Sequence, residues 1–292
     1  MAGHSLGSKS PFRTVTLWLI WGWLLIFALL PNILVIAVSF LSRDSSAFIS
    51  LPVSIDSYIR MIDPLYFGVF IHSLWMAGIT TIICFLLGYP FAWLIAKAKT
   101  RWQPLLMMLL ILPFWTNSLV RTYALKLLFA NNGLINKSLL AIGIIDAPID
   151  ILYTQVAVIA GLTYLLFPFM VLPLYAVFTD LRNDMLLASQ DLGASKTQTF
   201  WLIILPLTTP GIISGVLLVL LPAMGMFYVA DILGGSRNLL VGNIIKNQFL
   251  DARDWPFGAA ASVLLTLAMA VLLLAYRASS RRIGKTDFNE VA

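Results

Sequence analysis

The sequence predicts an all-α protein that crosses a membrane six times, and three observations carry that prediction. The 292 residues are 60% hydrophobic and only 11% charged, where a soluble domain carries about 25% charged residues. Six apolar stretches reach the roughly 20 residues that a helix needs to cross ~30 Å of hydrocarbon. The short alternating segments of a membrane barrel, about 10 residues each, are not visible.

The six stretches cover residues 15–41, 67–96, 104–130, 151–178, 207–230 and 257–276. The first is about twice as long as the 7–15 apolar residues of a secretion signal, and no small-x-small cleavage site follows it. It reads as a retained helix. Pro31, Pro90, Pro113, Pro168, Pro173 and Pro222 fall within or at the ends of the stretches. Each frees a carbonyl and favours a kink. "GIISG" (211–215) fits close helix packing through small residues, against either this chain or a partner.

Charge sets the orientation. With the N-terminus inside, six spans also place the C-terminus inside. The inner segments then hold Lys9, Arg13, Lys97, Lys99, Arg101, Arg182, Lys196, Arg277, Arg281, Arg282 and Lys285, against Asp180, Asp184, Asp191, Asp287 and Glu290. The other side carries bases and acids in equal number. The excess of bases marks the cytoplasmic side and explains the net charge of +6 without any nucleic-acid partner. Three regions follow: residues 1–66 (tail, first helix and outer loop), 67–278 (the main transmembrane unit) and 279–292 (a cytoplasmic tail).

Several function classes drop out. The single cysteine, Cys84, makes no internal disulfide and no metal cluster. His4 and His72 read as a tail residue and an interfacial residue, so no metal site is expected. No phosphate loop is present: "LGASKT" (192–197) has Ser195 where glycine should precede Lys196, and no strand leads into it. No nucleophile elbow, zinc motif or paired catalytic carboxylates occur. "NKS" (136–138) matches a glycosylation sequon that chance also produces. The chain therefore reads as a transport protein that is not itself an enzyme. No convincing internal repeat supports a secondary transporter.

One inner segment stands out, "LLASQDLGASKTQTFWLIILPLTTPG" (186–211). Asp184 to Leu192 favours a short helix, with Asn183 or Asp184 as its cap. Gly193 supplies a left-handed turn to end it. Ser195 caps a second helix, with Gln198 at the capping-box position. That helix turns apolar from Phe200 and is expected to end in a double-proline stop, meeting Pro206, with Pro210 early in the next span. Two readings are open, an elbow that docks in a groove of another protein or an interfacial connector. An interfacial helix tends to be more basic, which favours docking.

These residues carry a resemblance. The segment resembles the E-A-A-x-x-x-G…I-x-L-P loop of permease subunits of ABC importers. Leu187, Ala188 and Ser189 stand at E-A-A, followed by Gly193, Ala194, Ser195, Phe200, Ile203, Leu205 and Pro206. The glutamate is replaced by Leu187, and Asp184 or Asp191 stands nearby as a possible substitute charge. "IDPLYF" (62–67), "LGYPFAW" (87–93), "LPFWTNSLVRTYALK" (112–126), "LPAMGMFYVADILGG" (221–235) and "RDWPFGAA" (253–260) resemble the first permease subunit of bacterial spermidine/putrescine importers. The resemblance implies a type I importer permease of the bacterial inner membrane, with residues 180–206 as its coupling loop. It implies two ATPase subunits that bind ATP and magnesium, a second homologous permease and a periplasmic polyamine-binding protein. No cofactor is implied for this subunit.

A polyamine is a chain of ammonium groups on methylenes, suited to carboxylates, carbonyls and aromatic faces. The candidate path residues are Trp115 and Asn117 with Thr116, Tyr164 with Thr163, then Phe227, Tyr228, Asp231, Asp254 and Trp255. No acid lies near the middle of any span, so weak passage is expected rather than tight holding. Packing is the alternative for Trp115 and Tyr164. Asp231 could instead pair with Arg237 or cap a helix, and Asp254 could form a rim pair with Arg253. Arg121 and Lys126 are expected to pair with acids or snorkel. Other cargo, a channel or a secondary transporter remain the alternatives for the chain as a whole.

Overall fold

The structure is a computed structural model that describes residues 11–43, 49–181 and 183–289, with side chains described for 15–43, 49–181 and 184–274. His4, Lys9, Arg182 and Glu290 lie outside the described residues. The described part is almost wholly helical, as expected. One short antiparallel ribbon, β1 (Leu41–Ser42) with β2 (Ser50–Val53), is the exception.

The first span comprises α1 (Pro11–Leu24), a π-turn at Leu25–Leu29 and α2 (Leu30–Ser39). It lies on the outside and buries almost nothing. Its far end is tied down. The Ser39 hydroxyl is 2.7 Å from the Tyr58 hydroxyl, Phe40 packs on Tyr58, and Arg43 donates to the Ala252 carbonyl. Tyr58 belongs to α3 (Asp56–Arg60).

The core is a triad of long helices. α4 (Pro64–Lys97) begins at Asp63, whose carboxylate accepts from the Leu65 N–H, with Pro64 in the first turn. α8 (Gln155–Asp180) and α11 (Leu205–Gly225) pack against it and each other. Gly211 and Gly215 explain how closely α11 approaches α8. A Cβ on Gly211 would stand 2.8 Å from Val177, and one on Gly215 2.7 Å from the Met170 sulfur. The small-residue motif is thus used within the chain.

Between α4 and α8 the third span is broken, which corrects the expected single stretch at 104–130. α5 (Gln103–Ile111) passes into a tight 3-10 turn at Leu112–Trp115, and the chain bends by 93° before α6 (Ser118–Phe129). The reason is local. Pro113 sits in the tight turn, Thr116 is extended, and Asn117 starts a new helix by accepting from the Leu119 N–H. α7 (Leu134–Ile142) follows. The Asn136 amide is buried and bonds Ala130, Ile149 and the Ile149 N–H. It is therefore closed to glycosylation.

α9 (Asn183–Asp191) and α10 (Lys196–Thr199) form the elbow before α11. Beyond α11 come α12 (Phe227–Val229), α13 (Val241–Leu250) and α14 (Trp255–Asn289). Among the described residues, five helices are long and apolar enough to span a membrane, and up to six if the broken pair is one span.

Candidate functional site

The elbow is built by local chemistry. Gly193 has φ +82°, a conformation that costs an L side chain about 1–2 kcal/mol. Its N–H donates to the Gln190 carbonyl, and the Ala194 N–H reaches back to Ser189. These two bonds close the end of α9. Ser195 and Gln198 form a reciprocal capping box, with the Ser195 N–H donating to the Gln198 side-chain Oε1 at 2.8 Å. Both features match expectation.

Ser189 adds a clasp that the sequence reading missed. Its hydroxyl is buried and lies 3.0 Å from the Thr199 hydroxyl, joining the two arms of the elbow. Leu187 is 58% exposed and Leu192 is 89% exposed, so apolar side chains project from the outer surface of the elbow. Asp184, Ala188, Asp191 and Ser195 are also exposed, and Ala194 is half-buried.

The expected stop at Pro206 is corrected. Helix runs from Lys196 to Gly225 through both Pro206 and Pro210. A π-turn at Phe200–Ile204 widens the helix just before Pro206 and absorbs the ring's conflict with the preceding turn. The elbow is thus rigidly continuous with the fifth span. Leu205 is half-buried and Pro206 exposed.

Phe200 turns inward. It meets Tyr89 edge-on at 6.0 Å, while Phe178 meets both Tyr89 and Trp93 at 5.0 and 5.1 Å. The Tyr89 hydroxyl lies 3.0 Å from that of Thr208. One aromatic cluster therefore joins the elbow to the ends of α4 and α8.

The path candidates do not form one continuous lining. Trp115, at the break, is 82% exposed, and Asn117 is spent as a helix cap. Tyr164 lines a separate cleft with Arg121, whose guanidinium lies over the Tyr164 and Phe114 rings at 5.9 and 5.0 Å. Lys126 lies over Tyr153 at 5.9 Å. Aromatic faces, not acids, receive both cations.

At the end of α11, Phe227 and Tyr228 meet edge-on at 5.9 Å. Asp231 is the acid beside them. It accepts from the Asn243 amide at 2.6 Å and from the Lys246 ammonium at 2.9 Å. Lys246 also stands 6.0 Å over the Phe227 ring. The partner is Lys246 on α13, not Arg237.

Asp254 is 1% exposed. It holds the Arg60 guanidinium at 2.8 Å, with Arg43 at 3.8 Å, and caps α14 by accepting from the Phe257 N–H. These inward contacts engage Arg60 and Arg43. Burial works to lower the Arg60 pKa, but the hydrogen bond and charge of Asp254, helped by Tyr66, outweigh it and hold that pKa above its ordinary value. Trp255 is 40% exposed and packs on Phe249 at 6.2 Å.

The family described as "Binding-protein-dependent transport system inner membrane component" matches residues 85–285. The chain belongs to this family. It is a multi-pass protein of the bacterial inner membrane. It is 54% identical over 95% of its length, and 97% of the relative's, to the spermidine/putrescine transport system permease protein PotB of Salmonella typhimurium (strain SL1344). The PotB of Escherichia coli (strain K12) is 55% identical over 90% of this chain and 96% of its own. A chain of a bacterial alginate ABC transporter, solved with its pentasaccharide-bound periplasmic protein, superposes with a TM-score of 0.76. It covers 93% of this chain and 94% of its own at 16% identity, a likeness of fold alone.

Proposed function

We propose that this chain is the permease subunit through which an ATP-driven importer moves spermidine and putrescine into the cytoplasm. Identity of 54% across 95% of the chain to permeases of that description carries the reading. The other parts are two ATPase subunits that bind ATP and magnesium, a second homologous permease and a periplasmic polyamine-binding protein. Residues 67–278 are the transport unit, between a leading region at 1–66 and a tail at 279–292.

The geometry fits that division of labour. The elbow at 180–206 is the coupling loop on the cytoplasmic side, presented to the ATPase. Because helix continues from Lys196 to Gly225, a push on the elbow moves the fifth span as a lever. The aromatic cluster of Tyr89, Trp93, Phe178 and Phe200 passes the same push to α4 and α8.

At the other end, Asp231 receives the cargo. A lysine ammonium on a methylene stem already occupies it, over an aromatic face. A polyamine end carries the same ammonium and the same methylenes. The site thus exchanges like for like, which allows passage without tight retention. Trp115, Asn117, Tyr164, Phe227, Tyr228, Asp254 and Trp255 remain the other path candidates. Of these, Phe227 shares Lys246 with the acid, while Asp254 acts through the shape of the α13–α14 turn.

The test is uptake of labelled spermidine by cells lacking their own polyamine importers and given the full system. Energy-dependent uptake that is lost when this chain is omitted, and is competed by putrescine, is expected. Transport of an unrelated solute with no spermidine uptake would replace the cargo.

A further inference from the structure

Tyr164 is the path candidate that lines the cleft holding Arg121, and the repulsion of a polycation by that guanidinium argues against passage there. The cleft lies between α4, α5 and α8, has a volume of about 990 Å³, and is lined almost wholly by apolar side chains. Arg121 is the cation in that lining. No acid lines the cleft, and no ion pair or hydrogen bond reaches the Arg121 guanidinium among the described residues. Its Nε is buried without a partner, and so is the hydroxyl of Thr163, which lines the cleft from α8. Buried polar atoms of this kind are normally satisfied, and an unpaired intramembrane charge is costly. Two aromatic rings cover only part of that cost.

Depth selects the occupant. Thr163 lies about 12 Å into α8 from Gln155 and about 26 Å from Asp180, at ~1.5 Å per residue. The break at Trp115 lies about 20 Å along the run from Gln103. Arg121 therefore faces the hydrocarbon interior of a ~30 Å layer, below the level of lipid phosphates. A polyamine is repelled by it. A carboxylate fixed on another transmembrane helix meets the charge, the depth and the apolar walls together.

We infer that this cleft seats a transmembrane helix of the second permease, with an aspartate or glutamate of that helix paired to Arg121. The inference rests on the second permease named under Proposed function. The pair sets which permease this chain accepts, because a helix without the acid leaves Arg121 buried and unpaired.

The test uses the assembled importer purified from membranes. A photo-crosslinking amino acid at Leu109, an exposed cleft residue, keeps Arg121 intact. The expected adduct is with a peptide of the second permease that carries Asp or Glu. Arg121→Gln is expected to lower recovery of the second permease about tenfold, while Arg121→Lys retains part of it. Arg121→Glu is expected to regain assembly when the acid of the crosslinked peptide is changed to Arg. An adduct to phospholipid alone, no adduct, or full recovery with Arg121→Gln overturns the inference and leaves the importer reading standing. Failure of the unaltered chain to recover any second permease overturns both.

Discussion

Asp231 and Asp254 show how two acids near one end of a bundle take different work. Asp231 is one-third exposed and shares its charge with Lys246 and Asn243. Asp254 is sealed and holds Arg60 while capping α14. If Asp231 serves cargo, Asp231→Asn lowers spermidine uptake while Lys246→Gln, which removes the competing ammonium, retains it. If the pair is only a strut, both variants lose uptake together, as a parallel uptake assay would show. Asp254 predicts a stability effect. Asp254→Ala removes a cap of roughly 1 kcal/mol and leaves Arg60 unpaired, lowering the melting temperature of the purified protein. Asp254→Asn keeps the cap and falls less. Neither partner was legible in sequence: Lys246 lies on α13 and Arg60 on α3, and their meeting depends on how distant helices pack.

The elbow was legible because its signals are local. Gly193 ends one helix, and Ser195 with Gln198 starts the next, within six residues. The aromatic inward turn of Phe200 was not, since Tyr89 and Phe178 come from other spans. Likewise Pro113 announced a disturbance in the third span, but not a bend of 93°. Pro206 announced a stop that the π-turn at Phe200–Ile204 removes. Proline marks where a helix must adjust without fixing whether it breaks or widens. The Ser189–Thr199 clasp makes a prediction at this scale. Ser189→Ala deletes a bond worth about 1 kcal/mol. It leaves Thr199 to find another acceptor and loosens α9 against α10. Faster proteolysis or amide exchange confined to the elbow is expected, with the spans unchanged. Unaltered exchange in α9 would show that the clasp contributes nothing.

For the whole molecule, the arrangement is a lever on a bundle. α11 packs tightly on α8 through Gly211 and Gly215, and the elbow is continuous in helix with α11, so the two move together. The all-α polytopic class was plain from composition and length, while the orientation rests on the distribution of bases. What composition could not show is that the first span stands outside the core and that the third is interrupted. Under the proposed coupling role, exposed Leu187 in place of the loop's glutamate would make the ATPase contact apolar at that point. The central claim is that force on the elbow drives polyamine passage. The most direct measurement places a charge at Ala194 (Ala194→Asp) in the reconstituted importer and follows spermidine uptake and ATP hydrolysis together. Uptake falling at least about tenfold, with membrane insertion intact and hydrolysis no longer tied to transport, is the predicted result. Unchanged uptake per ATP hydrolysed would contradict it.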